Sequence, residues 1–537
     1  MEKIIMKKSV QCFWAMFLSI LVILSITACS SSNTERNRKA IIIGESGTFS
    51  TFDPLGAIEG QGFLHYYKMV YETLVDYEDG KPVPVLAESW EKDGETWTFH
   101  LRKNVKFTDS EPFNAEAVKT NFEGLQTHMM DSISYYGAIS RMTEIEVVDE
   151  YTVRFHYSQP YYAVLEELSA AVFGILSPKL FENGATPYGT VTATAGTGPY
   201  KIEARNYTER VSYQFSRNAE YWGESHGPDN FTVKLIEDED ARMLALQNKE
   251  IDLLYGSAQL TYDMYETLTA QEGIETTQSQ AVYATRNLLL NTSGNLLEDA
   301  RVRKAIQHGT HKEQIVSTVL HGMERQADTL FPKTLPFCDV EQTVYPYDPE
   351  LAVKLLEEAG WNEIGEDGIR VKDGKRLTLE AICMSEHALD QQILMAFKGQ
   401  MAQIGIEVNV LAYETNTWFE LGYSGEFDIS VNDTYGFPQD PQVFIAAMLD
   451  YALDYTAQQG LDKKAEIDEK IGAMLTTADE SVIQDAYTYI LTTLQEAAIN
   501  VPISGMREIA AFNSDKIESI VFANDPSTCY INKIVLK

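Results

Sequence analysis

The hydrophobic period of this chain changes near residue 283, and that change limits the folds open to it. Before it, apolar residues tend to recur at every second position. "WTFHLRKNVKF" (97–107) reads as a half-buried strand and "EIEVVDEYTVRFHYS" (144–158) as a strand hairpin; "GPYKIEARN", "VSYQFSRN" and "FTVKLIE" continue the series. "AIIIGESGTF" (40–49) predicts a buried strand entering a turn, helical spacing follows in "GFLHYYKMVYETLV", and Asn114 is placed to cap a helix in "NAEAVKTNFEGL". Beyond the change, amphipathic helices dominate: "ARVRKAIQHGTHKEQIVSTVLHG", "PELAVKLLEEAG", "QQILMAFKGQMAQIG" and "SVIQDAYTYILTTLQEAA". Strands "LTLEAICM", "IEVNVLAY" and "FDISVND" lie between them, as in an α/β lobe. A mixed, strand-rich half joined to an α/β half predicts two lobes with a ligand cleft between them.

The N-terminus says where such a body resides. Lys3, Lys7 and Lys8 precede an apolar run from Phe13 to Ile26, and "ITAC" ends in Cys29. The run is short for a membrane span, so residues 1–28 predict a cleaved secretory signal. The tetrapeptide resembles the lipobox of bacterial lipoproteins. That resemblance implies a diacylglyceryl thioether (palmitate-type acyl chains) on Cys29, which becomes the first residue of the mature chain. An ordinary signal with a chance cysteine is the alternative. Residues 29–39 are polar and aperiodic, as a tether is. The expected location is the extracytoplasmic face of a membrane (periplasmic if the host has two), reached through the lipid alone.

Net charge is −36, and loss of a leader carrying three Lys and one Glu brings the body to about −38. Such a surface repels phosphate backbones, so nucleic acid is not an expected partner. Cys338, Cys383 and Cys529 are scattered and form no CxxC, so they set no disulfide framework. GxSxG, HExxH, Walker and strand-to-helix GxGxxG signatures are lacking, so an extracytoplasmic hydrolase is the weaker reading and no cofactor is expected.

A series of local words, in order along nearly the whole mature chain, resembles the extracytoplasmic solute-binding proteins of ABC importers in their large peptide and nickel class (family 5). They are "YETLVDY" (71–77), "LAESWEKDGETWTFHLRKNVKFTDSEPFNAEAV" (86–118), "GTGPYKIE" (196–203), "NAEYWGE" (218–224), "IDLLYG" (251–256), "YDPELAVKLLEEAGW" (347–361) and "GIEVNV" (405–410). The resemblance implies a two-lobed periplasmic-binding-protein fold of α/β class: lobe I from 40–282 with 506–537 returning to it, and lobe II from 283–505. It implies a monomer that closes on a small ligand and hands it to permease and ATPase subunits. "ADTLFP" (327–332), "AQQGL" (457–461) and "YGFPQDPQVF" (435–444) lean toward the nickel-binding component, with an oligopeptide or dipeptide receptor as the alternative cargo class.

Nickel relatives hold the metal as a chelate, with aromatic walls, arginines for its carboxylates and usually one histidine. Carried over, the walls fall at Tyr135, Tyr435 and Phe419, and a loop tyrosine becomes Gln439. The arginine positions fall at Ser132 and Gly174, and the histidine position near Ala452 or Leu453, so those ligands are missing. From the residues themselves, His65 is the candidate metal ligand with Tyr66 as a wall, against a packing role. Arg286 could take a carboxylate, against an internal salt bridge; Asp440 could neutralise a cation, against turn initiation before Pro441. His128 beside Met129 and Met130, and His308 with His311, are more simply structural.

Overall fold

The computed structural model describes residues 39–47, 64–78, 80–128, 136–184, 195–202, 212–294, 296–435, 441–450, 452–523 and 528–537. Cys29 and the leader, Tyr135, Ser132, Gln439 and Asp440 lie outside them. No helix of the described residues is long and apolar enough to cross a membrane.

The apolar run near the start forms the strand Ala40–Glu45, which pairs in parallel with Asn230–Leu235 and Leu253–Tyr255 in a seven-stranded mixed sheet. Ile41 and Ile43, on one face of the strand, are fully buried, and Ile42 on the other face is half-buried. Strands from 87–157 form a separate four-stranded antiparallel sheet, with Thr96–Leu101 alternating buried and half-buried residues as its period predicts. The second sheet, of six strands, carries Ala284–Leu290 near its middle, with every residue buried. Around it pack the helices Ala300–Gly309, Pro349–Glu358, Ala388–Gln403 and Glu480–Ala497. Three of the four start at aspartates: Asp299, Asp348 and Asp479 accept from backbone N–H groups of the first turn at 2.9 Å.

The chain passes between the seven- and six-stranded sheets at 279–283 and again at 507–508. The two crossings are laced together: Ser279 N donates to Glu508 O at 2.7 Å, and Arg507 Nε donates to Ser279 O at 2.7 Å.

Helical spacing in 62–75 yields only the four-residue helix Leu64–Tyr67. The reason is tertiary. The carbonyls of Met69 and Val70 accept from Tyr200 N (2.9 Å) and Gly198 N (3.0 Å), so they leave the helical ladder. That approach explains the glycines of "GTGPY": a Cβ on Gly196 would lie 2.0 Å from Val70 O, and one on Gly198 2.6 Å from Met69 O.

Three of the recurring words converge on one buried carboxylate. Glu72 accepts from Thr197 Oγ1 (2.8 Å), Tyr221 Oη (2.8 Å) and Trp222 Nε1 (2.7 Å). Burial outweighs these donors and raises Glu72 to about 7; burial likewise raises Glu167 to about 7. Raised carboxylates bind protons more tightly in the folded state than in the unfolded one. Each therefore costs stability as pH rises from its unfolded pKa through its folded value. The melting temperature is expected to fall between about pH 4.5 and pH 7. Glu72→Gln should flatten that slope in calorimetry; an unaltered slope would show that Glu72 does not titrate there.

Candidate ligand-binding cleft

The strand Thr378–Met384 sits between Ile429–Asp433 and Glu407–Tyr413, parallel to both. Its carboxyl end leads through 385–387 into the helix Ala388–Gln403, which returns to Glu407–Tyr413 on one side; Ile429–Asp433 lies on the other. Strand order thus reverses at this end of the sheet, and in open α/β sheets such a reversal leaves a crevice. A cavity of about 570 Å³ occupies it. Glu239, 257–258 and 260–263 line it from the seven-stranded side, and Arg286, His321, 386–390 and Asp433 line it from the six-stranded side.

Among the described residues Arg286 is the one guanidinium lining the cavity, and its side chain is only 6% exposed. Strand register sets it opposite Asp433. Its Nη1 donates to Asp390 Oδ1 at 2.8 Å and its Nη2 to Glu324 Oε1 at 3.2 Å, and Asp433 Oδ2 lies 3.6 Å away. Tyr262 Oη and Ser504 Oγ donate to Glu324 at 2.6 and 2.5 Å. Burial works to lower the arginine's pKa, but Asp433, Glu324 and Asp390 outweigh it and hold the group above its ordinary value. Burial pushes Asp433 up to about 6, with Asp390 and Glu324 adding to the rise and Arg286 opposing it. Although the Asp433 side chain keeps 39% exposure, its Oδ1 atom is covered and has no hydrogen-bond partner among the described residues. His387 Nδ1 lies 3.2 Å from Asp390 Oδ2, and that hydrogen bond raises the imidazole. Glu239, Asp263, Glu386, Asp390 and Asp433 line the cavity against that single guanidinium, so its field attracts cations.

Of the expected site residues, the structure brings Arg286 to this cavity. It is there as the partner of internal carboxylates, so no free fork is offered to a ligand carboxylate. Tyr66 corrects the expectation of a wall: it is 1% exposed, packs on Phe215 and Phe231, and donates to Glu45 Oε1 at 2.6 Å. His65 stands 3.6 Å from Glu45 Oε1 and does not line the cavity. Among the described residues no group of three or more His, Cys, Asp and Glu is placed to hold a metal ion. Phe419 lies on the helix Thr415–Ser424 against Trp418 and Tyr423, 37% exposed and outside the cavity lining. Tyr435 is 46% exposed and meets Phe444 at 5.0 Å, two residues past Asp433. Gly174 cannot be replaced by an arginine in this packing, since its Cβ would fall 2.8 Å from Tyr71 Cβ. His308 bonds Pro346 O at 2.8 Å and His311 stacks on Tyr347 at 4.3 Å, both structural roles. Cys338, Cys383 and Cys529 are all buried.

Sequence reasoning missed the carboxylate cluster because its members, Glu324, Asp390 and Asp433, are far apart in the chain. Asp433 at the end of "FDISVND" was the one available signal.

Residues 81–456 match the family model described as bacterial extracellular solute-binding proteins, family 5 (middle region). The nickel-binding periplasmic protein of Escherichia coli K12 is 33% identical over 442 residues, covering 81% of this chain and 83% of that one. The dipeptide-binding protein of the same organism is 26% identical, covering 77% and 79%. Among solved structures, NikA from Brucella suis in complex with Fe(III)-EDTA superposes with a TM-score of 0.87 at 33% identity, covering 93% of this chain and all of that one.

Arg286→Met should destabilise the protein by about 3–5 kcal/mol in urea unfolding, because it strands buried Glu324 and Asp390. Asp433→Asn removes a carboxylate with a raised pKa and should be neutral or stabilising above about pH 6. Equal losses in both variants would contradict this assignment of charges.

Proposed function

The chain belongs to the bacterial extracellular solute-binding proteins of family 5, and from that premise we propose that it captures a nickel or related transition-metal chelate for an ABC importer. It is a binding protein and not an enzyme. The two lobes close over the chelate, and the closed form docks on the permease. The observation that carries the cargo class is the 33% identity, over four fifths of both chains, to a protein named for nickel binding. The cleft refines it. With Arg286 neutralised and five carboxylates on the cavity walls, a neutral or cationic chelate fits better than a polyanionic one. Tyr435 and the loop after it supply the aromatic wall of this reading, and Cys29 the lipid anchor.

Asp433 favours a second reading. Its unpartnered oxygen is placed to accept from a peptide's ammonium group, a charge-assisted bond. The similarity to a dipeptide-binding protein is consistent with that.

Purified protein exposed to Ni²⁺ alone, Ni²⁺ with L-histidine, Fe(III)-EDTA and a di- to tetrapeptide pool separates these readings by thermal shift and native mass spectrometry. The first two should stabilise the fold, by about 2.7 kcal/mol at a hundredfold excess over Kd, and Fe(III)-EDTA should not. Tyr435→Ala should weaken that binding without lowering the melting temperature of the free protein. Stabilisation by peptides and by no metal complex would replace the nickel reading with the peptide one. For the anchor, Cys29→Ala should abolish incorporation of labelled palmitate and release the protein from membranes; retained label would refute the lipidated cysteine.

A further inference from the structure

Away from the cavity, the four-stranded unit touches the helices of the other lobe directly. Tyr162, just past the strand Thr152–Tyr157, places its hydroxyl 3.1 Å from that of Tyr487 on the helix Glu480–Ala497. The Tyr162 ring meets Phe337 edge-on, with centroids 5.8 Å apart and planes at 86°. Phe337 in turn packs on Tyr487 at 5.3 Å, and Gln484 Nε2 donates to its carbonyl at 3.1 Å. Beside them Arg141 Nη1 donates to Leu475 O, at the carboxyl end of the helix Lys464–Met474 where the dipole favours a cation. The Arg141 guanidinium lies over the Tyr161 ring at 4.9 Å, and Tyr161 Oη donates to buried Glu167.

Phe337 has φ +61°. A bulky side chain in the left-handed region is an outlier that persists only where its surroundings over-determine it. Glycine takes this conformation freely, so the backbone alone gives no reason for an aromatic residue here. What the ring gains is its seat between Tyr162 and Tyr487, residues of the two opposing units.

We propose that Phe337, Tyr162, Tyr487 and Arg141 form a latch that holds the lobes together without cargo, and so sets how much of the free protein is closed. The inference rests on the lobe closure described above and on no particular cargo. A ligand binding only the closed form has an apparent affinity scaled by the closed fraction, so the latch tunes capture from outside the cleft.

The test uses ligand-free full-length chain bearing Cys12→Ser and Cys29→Ser, with spin labels at Glu91→Cys and Asp462→Cys, both exposed and one on each unit. The native cysteines 338, 383 and 529 are buried. Phe337→Gly removes the ring at a backbone geometry that suits glycine, so folding should be retained; Tyr162→Phe removes only the hydroxyl. The short-distance population is expected to fall roughly three- to tenfold in each. A second pair at Glu91→Cys and Asp149→Cys, both within the four-stranded unit, should not move. An unchanged distance distribution in folded Phe337→Gly would overturn the latch. Because no ligand is present, that outcome is independent of whether the nickel or the peptide reading stands.

Discussion

One guanidinium holds the junction on which the rest of the molecule turns. Arg286 opens the central strand of the six-stranded sheet immediately after the crossing at 279–283, and it gathers Glu324, Asp390 and Asp433 from three separate elements. Buried carboxylates without a countercharge would each cost several kcal/mol, so Asp390 and Asp433 on the cavity wall and Glu324 behind it can gather here only because Arg286 stands among them. One positive charge does not neutralise three negative ones. The surplus is what gives the cavity its attraction for cations, and it is displayed where strand order already leaves a crevice. Fold and electrostatics are thus fixed by the same residue.

The scaffold was legible in the sequence because its signals are local. The strand Ala40–Glu45 with its three successive isoleucines, the alternating Thr96–Leu101 and the amphipathic helix Pro349–Glu358 each announce themselves within a dozen residues. The family words proved to be pieces of shared packing: "YETLVDY", "GTGPYKIE" and "NAEYWGE" meet at Glu72, and the glycines of the second admit the carbonyls of the first. Where such a word was read by period alone it misled. The helix expected over 62–75 shrinks to Leu64–Tyr67 because Met69 and Val70 give their carbonyls to the glycine loop instead.

The cleft was less legible, for the opposite reason. Glu324 and Asp433 are more than a hundred residues apart, and nothing near either predicts that both will face Arg286. Single-residue candidates fared according to their burial. Tyr66 looks like an aromatic wall in one dimension, yet its place under Phe215 and Phe231 commits it to the core. The apparent loss of two arginines also changes meaning. Gly174 is packed too closely on Tyr71 to carry a side chain, so backbone packing and not charge alone governs that position. The charge on the cavity wall acts on which cargo is stabilised, and contacts elsewhere between the lobes act on closure.

That separation between closing and choosing has an energetic basis. Contacts at the cavity act only when cargo is present, whereas contacts between lobes act at all times. If the free protein were almost fully closed, cargo would gain little by closing it and would enter slowly; if almost fully open, cargo would have to supply the whole free energy of closure. A few aromatic contacts and one helix-end cation are each worth on the order of 1 kcal/mol, which suits an intermediate population. The strained backbone at Phe337 works in the same direction, since its cost subtracts from the grip of the ring it presents. Affinity can then drift through the latch while the carboxylates around Arg286 preserve the sign of charge admitted, so the two properties can change independently.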